Sequence, residues 1–257
     1  MIYFNWPLII LTTVVLYILI IISLPFSALF ATIALFSLIG YWSQLPGFCI
    51  MEPVRFLYMM DFIDIFTIVI ALHVGVPQAI AFTLFWNIYP RLSGAFLPWM
   101  AVFKDGLTQS TLCLFVPFFS YLAGGDIVLV VLIYSVLRMP IFFLWSLILP
   151  HMSIEKQIFH CTVAGISMFV IDLFYVVMFG SFFESLVQSG ASFSWLLFFI
   201  ATVIIFAFLV FIYGFSPMKA IKSVGATTTL LTKRIINSKK KKIEHNDDFV
   251  KDIINRI

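Results

Sequence analysis

The sequence predicts an all-α protein, a polytopic transmembrane helical bundle of six to eight spans with a basic cytoplasmic C-terminal tail. Of its 257 residues, 63% are hydrophobic and 11% are charged, whereas soluble domains carry about 25% charged residues. The apolar residues form long runs rather than one stripe on each helix, which predicts that lipid covers much of the chain. Backbone amides in lipid need internal partners, and these runs lack the alternation of barrel strands, so helices are expected.

Eight apolar segments are candidate spans. They are residues 7–23, 26–42, 57–75, 76–90, 106–123, 126–149, 157–180 and 192–214. The first segment has no positively charged region or cleavage site of a signal peptide, so we interpret it as a span. Joined to the second it would run about 54 Å, well beyond a hydrocarbon core of about 30 Å, so a tight hairpin is expected. The fourth segment is short, and a half-span or re-entrant piece is an alternative.

The distribution of lysine and arginine predicts the orientation, because cytoplasmic loops carry these residues in excess. With eight spans, the basic residues lie on one side and the other side carries only acidic ones. The basic side has Arg55, Arg91, Lys104, Lys156 and the whole tail, and the other has Asp126 and Glu184. Both termini are therefore predicted to be cytoplasmic, in a chain integral to the cell membrane.

The C-terminal residues differ sharply from the rest of the chain. Residues 217–257 hold ten of the fifteen lysines and arginines but four of the twelve acids, so we divide the chain into a transmembrane domain, 1–216, and a basic cytoplasmic tail, 217–257. Apolar residues at helical spacing predict a partly amphipathic helix that lies on anionic headgroups. The membrane contact is assigned to Lys239, Lys240, Lys241 and Lys242. A solvated tail that only fixes the orientation, or one that docks a cytoplasmic partner, is the alternative; nucleic acid is not an expected partner.

Charged residues within spans are the candidate site residues, because each costs about 2.5 to 3.5 kcal/mol at a helix centre. Four qualify: Asp61, Asp64, Arg138 and Asp172. Asp61 and Asp64 are three residues apart and share a helix face. The alternative for this pair is a position in the hydrated interface at the end of the span. Arg138 and Asp172 lie deeper. All four residues are predicted to bind a small solute or ion.

Arg138 and Asp172 are predicted to face each other, directly or across one water or ligand. They lie in the sixth and seventh spans, which a short loop joins and which should therefore be antiparallel neighbours. Asp172 shares its helix face with Gly165, which would allow close approach of another helix. Pro140 removes a hydrogen-bond donor from the turn that carries Arg138. This is typical of the broken helices of transporters, and the alternative is a simple kink.

Two patterns associated with enzymes were weighed against structural interpretations. The sequence Ala-Gly-Gly-Asp at 123–126 is one residue away from the Gly-x-Gly-Asp motif of intramembrane aspartyl proteases, but Asp126 is predicted at the outer boundary, far from the aspartates of the third span. His151, Glu155 and His160 do not share one helix face, and the three cysteines lack metal-binding spacing. We therefore predict no catalytic residue, no metal and no cofactor.

Three function classes follow from these features, in order of preference. The first is a transport-type subunit that binds a small solute or ion within the bundle. In size, helix count and lack of a nucleotide motif, the membrane part resembles the substrate-binding components of energy-coupling-factor vitamin transporters, a resemblance of architecture that assigns no residue. The second is a non-catalytic scaffold or assembly subunit that contacts other membrane subunits, and the third is an intramembrane aspartyl hydrolase.

Overall fold

The computed structural model describes residues 5–49, 62–92, 99–150, 153–188 and 193–211, and within these ranges all regular structure is helical. The α-helices are α1 (Trp6–Ser23), α2 (Ala28–Cys49), α3 (Ile63–His73), α4 (Val76–Ile88), α5 (Trp99–Leu122), α6 (Ile127–Ile148), α7 (Ile154–Tyr175), α8 (Ser181–Gln188) and α9 (Trp195–Phe211). A 3₁₀ turn, Tyr89–Leu92, follows α4, and a π-helix, Val176–Gly180, joins α7 to α8. The prediction of an all-α chain is confirmed.

The chain divides into two compact units, Met1–Ile205 and Phe206–Ile257. The described part of the second unit, residues 206–211, is helical. The predicted boundary at 216/217 and the four lysines of the tail lie outside the described residues, as does Asp61.

Four of the described helical stretches are long and apolar enough to cross a membrane, by length and composition. They are Trp6–Ser23, Ala28–Leu45, Ile127–Ile148 and Ile154–Gln188. Shorter apolar helices cover Ile63–His73, Val76–Ile88 and Trp195–Val210. These helices suggest a membrane-embedded protein, and the count of six to eight spans stays a prediction. The predicted hairpin at the start of the chain matches the break between α1 and α2, where Ser27 Oγ accepts a hydrogen bond from the Phe30 amide at 3.4 Å.

The short helix α3 lies at the centre of the bundle, since residues 63–71 are all buried. Its sequence is rich in β-branched residues, which have modest intrinsic helix propensity. Burial among other helices leaves its amides no partners except its own carbonyls, and this favours the helix. The helix ends before Gly75, whose φ of 141° suits glycine alone. A new helix then starts with Pro77 in its first turn.

Aromatic side chains pack α3 against its neighbours. Phe66 stacks on Phe36 of α2 with ring centroids 4.2 Å apart, and Phe183 of α8 meets the Phe66 ring edge-on at 5.0 Å. Phe62, just before α3, stacks on Tyr175 at the end of α7 at 4.3 Å. These contacts hold the first turn of α3, and with it Asp64, in a fixed position inside the bundle.

The helices α6 and α7 approach closely at a glycine. A Cβ atom on Gly165 would lie 2.6 Å from Cγ of Met139, so the absence of a side chain sets the distance between the two helices. The predicted role of Gly165 as a point of close helix approach is confirmed. The helix α6 also continues through Pro140, so it is not interrupted at that residue.

Candidate functional site

Arg138 lies near the middle of α6, and 3% of its side chain is exposed. Its guanidinium forms an ion pair with Asp64 of α3 and a second ion pair with Asp105 of α5, whose Oδ1 is 3.1 Å from Nη2. One cation therefore joins two carboxylates from two other helices. Asp64 lies in the first turn of α3, where the positive end of the helix dipole favours its charge.

Asp172 of α7 also contacts α6, but at Ser135 rather than at Arg138. Its Oδ2 accepts a hydrogen bond of 2.7 Å from Ser135 Oγ, and Ser135 lies one helical turn before Arg138. Among the described residues, the carboxylates paired with Arg138 are those of Asp64 and Asp105. The direct form of the predicted contact between Arg138 and Asp172 is therefore wrong, because Arg138 pairs instead with carboxylates of α3 and α5. A contact across one water or ligand stays a prediction.

Arg138, Asp64, Asp105 and Asp172 form a charged cluster, and three buried polar atoms around it have no hydrogen-bond partner within the described ranges. They are Oδ1 of Asp64, Nε of Arg138 and Oγ1 of Thr67. Thr67 is fully buried and lies one turn after Asp64 on α3. Buried polar atoms are nearly always paired, so these three atoms mark a place suited to a polar molecule or ion. Asp64 is buried within the bundle, and its depth relative to the membrane interface stays a prediction.

Lys104 is a second buried cation, next to Asp105 on α5, and its exposed fraction is 0%. Its Nζ donates to Ser146 Oγ of α6 at 3.1 Å and lies 5.3 Å from the centre of the Phe142 ring. Lys104 was predicted to lie outside the fifth span, and this is wrong because α5 begins at Trp99 rather than at residue 106. Lys104 and Asp105 therefore belong to the helix. The predicted orientation is supported by one basic loop residue fewer.

A neutral polar cluster connects α4 to α5. Gln109 Oε1 accepts hydrogen bonds from Thr83 Oγ1 and from Asn87 Nδ2. All three side chains are buried. None of the three was a predicted site residue. The available signal was the spacing of Thr83 and Asn87, which lie four residues apart in an apolar segment.

A groove of about 670 Å³ lies between α1, α2 and α4, and the charged cluster does not line it. Leu11, Leu19 and Phe85 supply part of its apolar wall. Four of its polar side chains are paired: Thr12 and Tyr89 share a hydrogen bond of 2.7 Å, and the Trp86 indole donates to Ser37 at 3.0 Å. The groove and the charged cluster are therefore chemically different places.

The sequence 123–126 has a structural role. Gly124 and Gly125 have φ values of 63° and 84°, which form the turn between α5 and α6. Asp126 caps α6, because its Oδ1 accepts a hydrogen bond of 2.8 Å from the Val128 amide. In the part of the chain that the structure describes, no group of three His, Cys, Asp or Glu residues is placed to hold a metal ion.

The cluster brings Asp64, Arg138 and Asp172 onto adjoining helices and adds Asp105 and Lys104. It resembles the buried ionisable sets that mark ion and solute pathways in membranes. Comparison of the chain with protein-family models, with curated proteins and with solved structures finds no match.

Proposed function

We propose that the chain is a transport-type membrane subunit that binds a small solute or ion at the cluster around Arg138. The observation that carries this proposal is the mismatch at Arg138, where one guanidinium serves the buried carboxylate of Asp64 and the half-buried carboxylate of Asp105 while Asp64 Oδ1 and Arg138 Nε have no partner among the described residues. A purely structural ion pair gains most when every polar atom is satisfied. Here partner atoms are left over, which suits a ligand.

The wider set of charges supports the same proposal. Asp64, Asp105 and Asp172 are three acids, and Arg138 and Lys104 are two bases, so the set, in which only Asp105 is half-buried rather than buried, carries an excess of one negative charge when all are ionised. Charge buried in a bilayer is costly and usually functional. A positively charged ligand, or a ligand with a positive group, would neutralise the excess.

A membrane scaffold is the second candidate, and one observation favours it. Arg138 contacts Asp64 and Asp105 directly, as expected where buried charges hold helices together. In this case other membrane subunits would contact the apolar surface, and the tail would dock a cytoplasmic partner.

The proposal also includes the surroundings of the bundle. We place both termini on the cytoplasmic side of the cell membrane, with Lys239 to Lys242 against anionic headgroups. Each basic residue near such a surface contributes roughly 1 kcal/mol of attraction.

Transport is tested with the full chain reconstituted in liposomes on a solid-supported membrane. Currents are recorded after concentration jumps of NaCl, of charged amino acids and of small amines. Asp105→Asn removes one carboxylate but leaves the Arg138–Asp64 pair, so folding should be retained. Asp126→Asn, at the exposed cap of α6, is the matched control.

The expected result is a current with at least one of these probes, lost in Asp105→Asn and kept in Asp126→Asn. If no probe gives a current with the wild-type protein, transport is refuted for these solute classes and the scaffold is favoured. A current that Asp105→Asn leaves unchanged would refute the assignment of the site to this cluster.

A further inference from the structure

One oxygen pair on α3 gives the proposed site a specific ligand chemistry. Asp64 uses its Oδ2 for Arg138, and its Oδ1 is buried with no hydrogen-bond partner among the described residues. Thr67 Oγ1, also buried and without a partner there, lies one turn further along α3. Residues three apart on a helix face the same side, with Cβ atoms about 5 to 6 Å apart. Two oxygen ligands are thus presented together on a buried face.

The two oxygens do not hydrogen-bond to each other. This favours a metal cation over a proton as the ligand that satisfies both of them. A proton on Asp64 would neutralise the carboxylate and leave the Thr67 oxygen unsatisfied. A cation of the size of Ca²⁺ sits about 2.3 to 2.6 Å from each oxygen, so it can contact two oxygens that do not hydrogen-bond to each other.

The charges of the neighbouring side chains indicate the valence of the bound cation. Arg138 carries one positive charge against the two negative charges of Asp64 and Asp105. With Asp172 and Lys104 included, the excess is again one negative charge. A monovalent cation neutralises this excess, whereas a divalent cation would leave a buried positive charge, which is unfavourable.

We propose that Asp64 Oδ1 and Thr67 Oγ1 bind an alkali-metal cation such as Na⁺. This inference rests on the proposed function, because it names the ion that the cluster binds. Carboxylate and hydroxyl oxygens are hard ligands suited to hard cations. Neutralisation of Asp64 by the bound cation weakens its attraction to Arg138, which gives a route by which cation binding loosens the contact between α3 and α6.

The test measures the thermal unfolding of the purified full chain in detergent at constant pH and ionic strength. Choline chloride is replaced stepwise by NaCl, KCl or LiCl. Thr67→Val removes one ligand oxygen without changing charge. Thr32→Val is the matched control, because Thr32 is also buried but its hydroxyl donates to the Ala28 carbonyl at 2.9 Å.

We expect one of the three alkali chlorides to raise the melting temperature by several degrees, with saturation, in the wild type and in Thr32→Val. A ligand that binds only the folded state stabilises it in this way. The rise should be lost in Thr67→Val. Equal melting temperatures in all four chlorides, or a rise that persists in Thr67→Val, would overturn the cation site.

This result is independent of the currents that test transport. If currents with amino acids or amines depend on Asp105 but no alkali cation stabilises the protein, the cation site is refuted and the proposed function stands. If an alkali cation stabilises the protein through Thr67 but no probe gives a current, the cation site stands and transport of these solute classes is refuted.

Discussion

Ser135 Oγ donates a hydrogen bond of 2.7 Å to Oδ2 of Asp172, and this contact joins α7 to the helix that carries Arg138. Both side chains are buried. One turn further along α6, Arg138 holds α3 and α5. Two successive turns of α6 therefore make polar contacts with three different helices, so α6 is the element on which the charged cluster is assembled.

The ion pairs of Arg138 predict an unequal response to substitution. Arg138→Gln leaves the buried carboxylate of Asp64 without its cation and removes one ion pair from Asp105, so we expect a loss of about 3 to 5 kcal/mol of unfolding free energy. Asp105→Asn should cost less, because the Arg138–Asp64 pair remains. The measurement is denaturant unfolding in mixed micelles. Combining Arg138→Gln with Asp64→Asn should be milder than the sum of the single changes, and strict additivity would show that the two side chains are not coupled.

The contact between Ser135 and Asp172 predicts a specific cost. Ser135→Ala removes a donor from a buried carboxylate, and leaving such a group less satisfied costs about 1 to 3 kcal/mol. Ser167→Ala on α7 is the control, because the Ser167 hydroxyl bonds only to the Val163 carbonyl of its own helix in the described structure. Unfolding curves of the two variants should differ clearly; equal stabilities would argue against the hydrogen bond.

The close approach at Gly165 predicts a steric effect that a second substitution relieves. Gly165→Val would force its side chain into Met139, with a Cβ contact of 2.6 Å, and overpacking of this kind costs about 1 to 3 kcal/mol. Met139→Ala in the same chain should recover part of the loss. Gly106→Ala is the comparison, since its Cβ would meet only the end of Leu84 at 3.3 Å. Thermal unfolding of the four proteins checks this, and a lack of recovery would place the strain elsewhere.

The continuous helical stretch Ile154–Gln188 predicts that its two ends face opposite sides of the bilayer. Lys156 and Ser185 are about 43 Å apart at 1.5 Å per residue, more than the hydrocarbon core of about 30 Å. In a chain without native cysteines, Lys156→Cys should react with an impermeant maleimide only from the cytoplasmic side. Ser185→Cys should react only from the other side. Labelling of both from one side would contradict the predicted orientation.

The sequence predicts the helical class and three members of the cluster, because both follow from local physical costs. Long apolar runs exclude a soluble core, and a charge within such a run is too costly to be kept without a partner. Arg138, Asp172 and Asp64 were identified in this way. Asp105 was missed because the fifth candidate span was placed at 106–123, whereas the helix begins at Trp99.

The pairing inside the cluster could not be predicted from the sequence for a different reason. Consecutive spans are the natural neighbours to assume, and this assumption paired Arg138 with Asp172. The structure instead brings in α3, which is far from α6 along the chain and is held by aromatic contacts with α2 and α8. Contacts of this kind depend on how several helices pack together, and no local pattern in the sequence records them.

The π-helix Val176–Gly180 has a consequence for how this chain tolerates insertions and deletions. Buried residues recur at Met168, Asp172, Val176 and Gly180, a spacing of four that a regular α-helix of 3.6 residues per turn would rotate steadily away from the bundle. The wider π-turn, with its bonds from i to i+5, absorbs this drift. Because the π-turn takes up one residue more than an α-turn, deleting one residue such as Met178 would leave a regular α-helix in which Phe183 keeps nearly its present rotational position relative to Asp172. Deleting a second residue would rotate Phe183 by about 100° out of the aromatic cluster. A related chain with one residue fewer here would therefore need no compensating change at either residue.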